Sequence, residues 1–278
     1  MLELLRVAIA LIGSSVIAAW DLKTSDIIDK LAIAMVIIGV LLNGADSMLT
    51  GDLQPFMLSL TVLGAYGLFG IIAYATGAWG AGDSVMLLAI GALVPTAPFA
   101  PLFAGQAILP FSFSYFINVF LVGSIYSVVY IMALGFRNRK IMRDFRRSVR
   151  NDYFSLGAAF LSAVFLFAVF AYQEVAVFLV LSAILAAMPV LYRYTKAVDA
   201  NFYRRIPASK LKANDVIGQD LPKLGIYKKM IRGLTDKEVA AIKRSQKMVL
   251  IREGIRYTPT FPIALLFTLA FGDFLFFL

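Results

Sequence analysis

The chain has 278 residues and a formal net charge of +9; 60% of the residues are hydrophobic, only 15% are charged, and the mean hydropathy is +0.82. Soluble domains are about 45–50% apolar and about 25% charged, so the composition excludes an ordinary soluble protein and a disordered one. Because Cys and His are absent, disulfides, thiolate or imidazole metal sites and Ser–His or Cys–His catalysis are excluded. Acid–base chemistry would depend on Asp, Glu, Lys and Tyr.

Eight apolar segments, each close to the roughly 20 residues that cross a bilayer, follow one another along the chain. They lie at about 2–20, 30–50, 54–78, 83–103, 112–135, 153–171, 174–193 and 260–278. The first is interpreted as a permanent span, since Arg6 is a weak basic region for a signal peptide and no small-residue cleavage site is clear. The pattern predicts an all-α polytopic membrane protein with about eight transmembrane helices, six being possible.

The basic residues are concentrated in two segments. Residues 137–152 carry seven basic and two acidic side chains, and residues 193–258 carry 16 basic and six acidic ones. An excess of Lys and Arg marks the cytoplasmic side. With eight spans, both segments lie on the cytoplasmic side and both ends of the chain lie outside. Arg6 is then the only basic residue away from the cytoplasmic side. The positive charge therefore indicates membrane topology, and we predict no binding to nucleic acid.

The segment between the seventh and eighth spans is long, charged and poor in apolar runs. Thr235 and Glu238 have the spacing of a capping box, which predicts a helix over 236–247. Two short apolar runs, 247–251 and 255–258, flank a glycine and predict a hairpin. These features favour a small cytoplasmic α+β domain over the alternative, a disordered linker.

The predicted domain boundaries follow from this division. We expect a transmembrane helical domain at 1–193, the cytoplasmic soluble domain at 194–258 and a final transmembrane helix at 259–278.

Two aspartates lie at the predicted cytoplasmic border of the membrane. Asp21 follows Trp20 at the end of the first span, and Asp83 ends the sequence Gly80-Ala-Gly-Asp at the start of the fourth. Ionisable residues at membrane depth are rare and indicate function. Two carboxylates that meet share a proton, so that one acts as general base on water and the other polarises a carbonyl and protonates the leaving amine. Such chemistry needs no metal and no cofactor, and we predict neither.

Neighbouring residues are weaker candidates. Gly80 and Gly82 permit close approach of another backbone, so an extended peptide would pair here as an added strand. Asp26 and Asp29 compete with Asp21, but they lie deeper in the loop, where solvated carboxylates are ordinary. Alternatively, the two border aspartates only cap helices.

Another alternative is a transporter or channel, because membrane carboxylates also mark ion pathways. Transporter sites lie near the bilayer midplane, however. Both candidate aspartates lie at one border, which favours an enzyme.

These residues resemble a known family. Trp20-Asp21, Trp79-Gly-Ala-Gly-Asp83 and the late stretch Gly254-Ile-Arg-Tyr-Thr-Pro-Thr-Phe-Pro262 are similar to the archaeal type IV prepilin and preflagellin (archaellin) peptidases, which are Gly-x-Gly-Asp intramembrane aspartyl proteases. The resemblance covers most of the chain and implies a catalytic core at 1–135 with Asp21 and Asp83 as the catalytic pair. Archaeal members commonly have six spans, whereas eight are counted here.

The resemblance also implies a function. Such enzymes remove the short basic leader, a class III signal peptide, from prepilin or preflagellin precursors. We therefore expect precursor proteins and the lipid bilayer as partners. The expected location is the cytoplasmic membrane, as a multi-pass protein whose soluble domain and active site face the cytoplasm. Basic leaders would be repelled by the basic domain, so contact through Asp26, Asp29 or the catalytic pair is expected.

Two related groups of enzymes differ from this chain. Bacterial relatives carry a Cys-rich zinc domain and N-methylate the new terminus, so a chain without Cys is expected to be a peptidase without methyltransferase activity. Presenilin-like and signal-peptide-peptidase-like enzymes share Gly-x-Gly-Asp, but their other Asp lies in the immediately preceding span. That group is the alternative among the proteases.

Overall fold

The computed structural model describes residues 2–98, 108–170, 175–228 and 233–273, which form ten α-helices and three short strands. The helices are α1 (Leu2–Thr24), α2 (Asp29–Thr50), α3 (Gln54–Ala75), α4 (Ala81–Leu93), α5 (Phe111–Arg137), α6 (Arg139–Asn151), α7 (Tyr153–Phe170), α8 (Val175–Asn201), α9 (Asp236–Ser245) and α10 (Thr260–Phe271). The strands are β1 (Tyr203–Pro207), β2 (Val216–Ile217) and β3 (Met248–Arg252).

Among the described helices, α1, α2, α3, α5 and α8 are long and apolar enough to cross a membrane, and α6 with α7 forms a sixth candidate that is bent by 75°. Large apolar side chains remain exposed along these helices, including Leu41 (65% exposed), Ile71 (69%) and Phe165 (68%). Extensive apolar exposure of this kind marks a surface that water does not cover. The protein is a polytopic α-helical membrane protein, as predicted.

Each of the eight predicted apolar segments contains a described helix, but two of these helices are short. The predicted fourth span ran over 83–103, whereas α4 has 13 residues and ends at Leu93, ahead of Pro95, because proline lacks the N–H that a helix needs. α10 has 12 residues. Residues 99–103, 171, 174 and 274–278 of the predicted spans lie outside the described residues. By length, five or six helices are full spans, close to the lower of the two expected numbers.

The short helix α4 lies inside the bundle, packed against α1, α2 and α3. The α2 backbone approaches α4 closely at Gly39, where an added Cβ would lie only 2.7 Å from the carbonyl carbon of Ala92. The carbonyl oxygen of Ala92 accepts hydrogen bonds from Asn43 Nδ2 (2.8 Å) and Ser59 Oγ (3.1 Å). The C-terminal end of α4 is therefore bonded to both α2 and α3.

Arg6, the exception to the charge rule, forms a buried ion pair between α1 and α2. Its guanidinium donates to Asp46 Oδ2 (2.9 Å) and to Asn43 Oδ1. The arginine is only 5% exposed. A buried arginine is tolerated in this apolar helix because the neighbouring helix supplies a carboxylate that compensates its charge.

The chain after α8 forms a small α+β unit, as expected. Its antiparallel sheet has the strand order β1-β3-β2. α9 begins with the predicted capping box: the N–H of Thr235 donates to Glu238 Oε2 (2.8 Å), and the N–H of Glu238 donates to Thr235 Oγ1 (3.4 Å). Ile242 of α9 and Val249 of β3 are completely buried in the core of this unit.

The predicted hairpin between 247–251 and 255–258 is wrong. β3 pairs with β1 along one edge and with β2 along the other, so neither edge is open to the chain that follows. Residues 253–257 form no strand and lead directly to α10. A short apolar run identified β3 as a strand, but its partners come from residues more than 30 positions earlier.

The α+β unit lies at the Asp21 end of α1. Lys212 Nζ is 3.3 Å from Asp26 Oδ2, and the hydroxyl of Tyr126 on α5 donates to the carbonyl oxygen of Arg256 (2.8 Å). α6 is on the same side, since Asn201 Nδ2 at the end of α8 donates to Asp144 Oδ2 (3.2 Å). Both basic segments of the sequence therefore lie at one side of the bundle.

Candidate active site

A cavity of about 730 Å³ lies between the membrane helices and the α+β unit. The end of α1, the loop before α4, the C-terminal parts of α5 and α8, and the chain from β3 to α10 line it. Asp21, Gly80 and Asp83 are among the lining residues. The structure thus brings two segments that are 62 positions apart in the sequence to one cavity.

Asp21 lies in the last turn of α1 and is 6% exposed. The hydroxyl and the backbone N–H of Thr258 face its carboxylate. Thr258 is completely buried, and its hydroxyl has no hydrogen bond at normal distance within the described part of the chain. The guanidinium of Arg256 donates to the carbonyl oxygen of Leu22, which places a cation beside this end of the helix.

Asp83 lies in the first turn of α4. Its Oδ2 accepts a hydrogen bond from the N–H of Gly80 (3.2 Å), so the carboxylate satisfies one of the free amides of the helix start. The aspartate therefore caps its helix and also lines the cavity. Capping of the helix and a position in the cavity are therefore compatible for Asp83.

Gly82 has a packing function at the same turn. A Cβ at this position would overlap the side chain of Ile27 in the α1–α2 loop. Gly82 does not line the cavity, whereas Gly80 does. The absent side chain allows the start of α4 to approach the loop that follows Asp21.

Asp26 and Asp29, the weaker candidates, lie outside the cavity lining. Asp26 is exposed and forms the ion pair with Lys212. Asp29 is exposed at the first residue of α2. The structure therefore groups Asp21, Gly80 and Asp83, and leaves the two loop aspartates at the surface nearby.

An aromatic cluster supports the loop before α4. The indole ring of Trp79 stacks on Phe120 (5.5 Å between centroids) and meets Phe69 edge-on (5.3 Å). It also contacts Phe261 and Tyr257, each at 5.8 Å. Aromatic pairs at such distances stabilise beyond the area they bury. Trp79 thus holds the Gly80 turn against α3, α5 and α10.

Tyr257 lies between the aromatic cluster and α5. Its hydroxyl donates to the carbonyl oxygen of Val119 (3.0 Å). Burial, and then the charge of Asp83, raise the pKa of Tyr257 to about 12. The hydroxyl therefore remains a protonated donor at neutral pH.

Sequence reasoning assigned no role to Arg256, Tyr257 and Thr258, although the family resemblance rested partly on this stretch. The available signal was a short polar run next to Pro259, immediately before an apolar helix. Among the residues that the structure describes, no group of three or more acidic side chains has a metal-binding arrangement.

Part of the chain is similar in sequence to known proteins. Residues 8–136, which include both cavity aspartates, match the type IV leader peptidase family. The chain is 28% identical over 153 residues to the prepilin peptidase EppA of Methanothermobacter thermautotrophicus, and 30% identical over 137 residues to the preflagellin peptidase of Methanococcus voltae. The resemblance predicted from the motifs is confirmed over residues 8–136, somewhat less than half of the chain.

The two matches are partial. They cover 52% and 47% of this chain, and 39% and 57% of the respective relatives. The chain thus spans about half the length of the curated relatives that it matches.

Proposed function

Since residues 8–136, from α1 to the end of α5, match the type IV leader peptidase family, we propose that this protein is an intramembrane aspartyl endopeptidase. It removes the short basic leader from prepilin-like or preflagellin-like precursors. The observation that carries this proposal is the position of Asp21 and Asp83 on one cavity between the membrane helices and the α+β unit.

The proposed reaction uses the two carboxyl groups in opposite protonation states. The ionised one takes a proton from water, whose oxygen attacks the scissile carbonyl carbon, while the protonated one donates a hydrogen bond to the carbonyl oxygen. When the tetrahedral intermediate collapses, a proton passes to the leaving nitrogen and the peptide C–N bond breaks. The products are a carboxylate and a new amino terminus, and one proton is again shared by the pair.

The location of the pair supports cleavage at a membrane border. Asp21 lies at the end of a membrane helix and Asp83 at the start of another; neither lies at mid-span, as a transporter's carboxylates would. Both basic segments lie on this side of the bundle, and the excess of Lys and Arg favours the cytoplasm for it. We therefore assign the cavity and the α+β unit to the cytoplasmic face.

The substrate would enter as an extended chain along the Gly80 turn. Tyr74, Gly77 and Trp79 line the cavity beside this turn. Val216 of β2 also lines it, but its outer edge is already paired with Gly233, so the proposed pairing partner of the substrate is the main chain of the Gly80 turn. Asp26 and Asp29 lie on the surface of the same side and are proposed contacts for the basic leader.

We propose no methyltransferase activity. Only residues 25–28 separate α1 from α2, so the cysteine-rich insert that the bacterial relatives carry between these spans has no counterpart here. The α+β unit lies instead between α8 and α10 and contains no Cys.

Co-expression with candidate prepilin and archaellin precursors tests the proposal. The new N-terminus of the precursor, determined by mass spectrometry, should lie between the basic leader and the apolar helix. Asp21→Asn and Asp83→Asn should each reduce cleavage by roughly 10²–10⁴-fold. Asp52→Asn in the α2–α3 turn is the matched control and should cleave normally, since Asn also accepts the hydrogen bond from the N–H of Gln54.

Two results would contradict this assignment. Normal cleavage by either variant of the pair would remove that residue from the catalytic dyad. Absence of cleavage with every precursor that has a class III leader, by wild-type protein in native membranes, would refute the function itself.

A further inference from the structure

We propose that the exposed face of α6 is a binding site for the phosphate headgroups of anionic phospholipids in the surrounding bilayer. This inference is independent of the proposed peptidase activity. It follows from the position of the helix, from its buried face and from the cations on its exposed face.

The position of α6 places it at the level of the lipid headgroups. The helix begins two residues after the membrane helix α5 ends, and a single residue separates it from the apolar helix α7. Its axis is bent by 75° from that of α7. A helix connected so closely to two apolar helices, and turned away from the direction of α7, is expected to run along the membrane surface.

One face of α6 is fixed to the protein. Ile141 is 1% exposed, and the ring of Phe145 meets Tyr194 of α8 edge-on at 5.3 Å between centroids. Asp144, the acidic residue of this helix, accepts a hydrogen bond from Asn201 (3.2 Å). The buried face thus uses the apolar side chains and the carboxylate of α6, and fixes the rotation of the helix about its axis.

The opposite face consists of cations. Five arginines and Met142 line a surface hollow of about 580 Å³. The arginines are Arg139, Arg143, Arg146, Arg147 and Arg150, all of them exposed. None of the five has an ion-pair partner within the described ranges. Guanidinium groups bind phosphate oxygens through paired N–H donors, so the hollow has the chemistry of a phosphate site.

The apolar residues beside the hollow fit a bilayer as the source of the phosphate. Phe136 (71% exposed) precedes α6, and Tyr153 (77%) and Phe154 (82%) follow it at the bend. Aromatic side chains at the ends of membrane segments lie at headgroup level. A soluble anionic partner would leave these rings in water, whereas lipid covers them and supplies phosphate at the same depth.

The peptidase substrate is an unsuitable occupant of this face. A basic leader would meet five arginines and gain no carboxylate, since Asp144 is turned toward α8 and bonded to Asn201. The charge of the site therefore favours an anionic ligand.

Lipid binding to the purified full chain tests the proposal. Native mass spectrometry of the detergent-solubilised protein, titrated with phosphatidylglycerol or phosphatidylcholine, measures the two affinities. Wild-type protein should prefer phosphatidylglycerol. The α6 variant with Arg143, Arg146, Arg147 and Arg150 replaced by Gln should lose this preference by about fivefold or more, as expected for basic residues at an anionic surface.

Matched variants separate a local site from general charge. The control variant, with Lys223, Lys228, Lys237 and Lys243 of the α+β unit replaced by Gln, loses the same charge and should keep the preference. A second α6 variant, with Lys at the four arginine positions, keeps the charge but not the paired N–H donors, so its preference should lie between those of wild-type protein and the Gln variant.

Several results would overturn the proposal. These are a wild-type protein without a preference for phosphatidylglycerol, an equal loss in the control variant, a Lys variant with no more preference than the Gln variant, and binding of a short oligonucleotide in place of the lipid. The comparison of the two lipids on wild-type protein requires no variant to fold. Thermal unfolding identifies a variant that does not fold.

Discussion

The hydroxyl of Tyr257 occupies the place where a side chain at Gly123 would begin: a Cβ built on this glycine overlaps the phenol oxygen. From there the hydroxyl donates to the carbonyl oxygen of Val119, one turn earlier on α5. This contact connects the middle of a membrane helix to the chain that leads from β3 to α10. Thr258, which faces Asp21, is the next residue.

Gly123→Ala should therefore displace Tyr257 and disturb the site. Overpacking of this kind costs about 1–3 kcal/mol, so the apparent melting temperature in detergent should fall and leader cleavage should decrease. Gly64→Ala is the control, because a Cβ at Gly64 of α3 meets no atom within 4 Å. If Gly123→Ala has no effect, or if Gly64→Ala is equally harmful, the close approach of Tyr257 is not important.

Thr258→Val should impair catalysis more than folding. The Thr258 hydroxyl faces Asp21 and has no other hydrogen-bond partner within the described residues, so it should donate to the ionised Asp21 during the reaction. A hydrogen bond to a charged group contributes about 1.5–3 kcal/mol, so its loss should lower the cleavage rate by roughly 10–150-fold. Thr258→Ser retains the hydroxyl and should retain most activity. The pH–rate profile is the decisive measurement, since an altered environment of Asp21 moves the profile. Equal rates for the Val and Ser variants would contradict this role.

Removal of one partner from the Arg6–Asp46 pair should be strongly destabilising. Asp46→Leu leaves the buried guanidinium with only the longer contact to Glu3 (4.0 Å) as counter-charge, at a cost approaching the roughly 3–5 kcal/mol of a broken buried pair. The double variant Arg6→Met/Asp46→Leu removes both charges and should unfold at a higher temperature than Asp46→Leu alone. A double variant as unstable as the single one would show that Asp46 acts independently of Arg6.

Asp215 gives the α+β unit a pH-dependent stability. Burial raises the pKa of Asp215, and the N–H of Lys212, which donates to its Oδ2 at 2.7 Å, offsets this only in part. The folded form therefore binds the proton more tightly than the unfolded form, and stability should decrease as the pH rises from below 3.8 through the raised pKa. Asp215→Asn should weaken this dependence, as measured by melting temperature against pH. An unchanged slope would contradict the assignment.

The membrane helices and the two border aspartates could be predicted from the sequence because their signals are local. A run of apolar residues identifies a span, and Asp21 and Asp83 are conspicuous against apolar neighbours. The capping box of α9 is local as well, since Thr235 and Glu238 are three residues apart. Such features do not depend on the path of the rest of the chain.

The features that depended on distant parts of the chain could not be predicted. The apolar run at 247–251 indicated a strand, but the sequence of this run does not specify that β1 and β2 are its partners. The position of Thr258 beside Asp21 depends on the return of the chain from β3 to α1, about 240 positions along the sequence. Arg6 was anomalous in the sequence because its carboxylate lies on the next helix.

The length of α4 has a consequence for the position of Asp83 in the bilayer. Thirteen residues of helix extend about 20 Å, whereas the hydrocarbon layer is about 30 Å thick. Near its C-terminal end, α4 is bonded through Ala92 to Ser59, five residues after α3 begins, and near its start Ser84 donates to the carbonyl oxygen of Gly70, five residues before α3 ends. α4 is therefore shorter than α3 at both ends, including the Asp83 end, where the cavity lies. The proposed hydrolysis needs a supply of water, and a short helix leaves room for it within the thickness of the lipid.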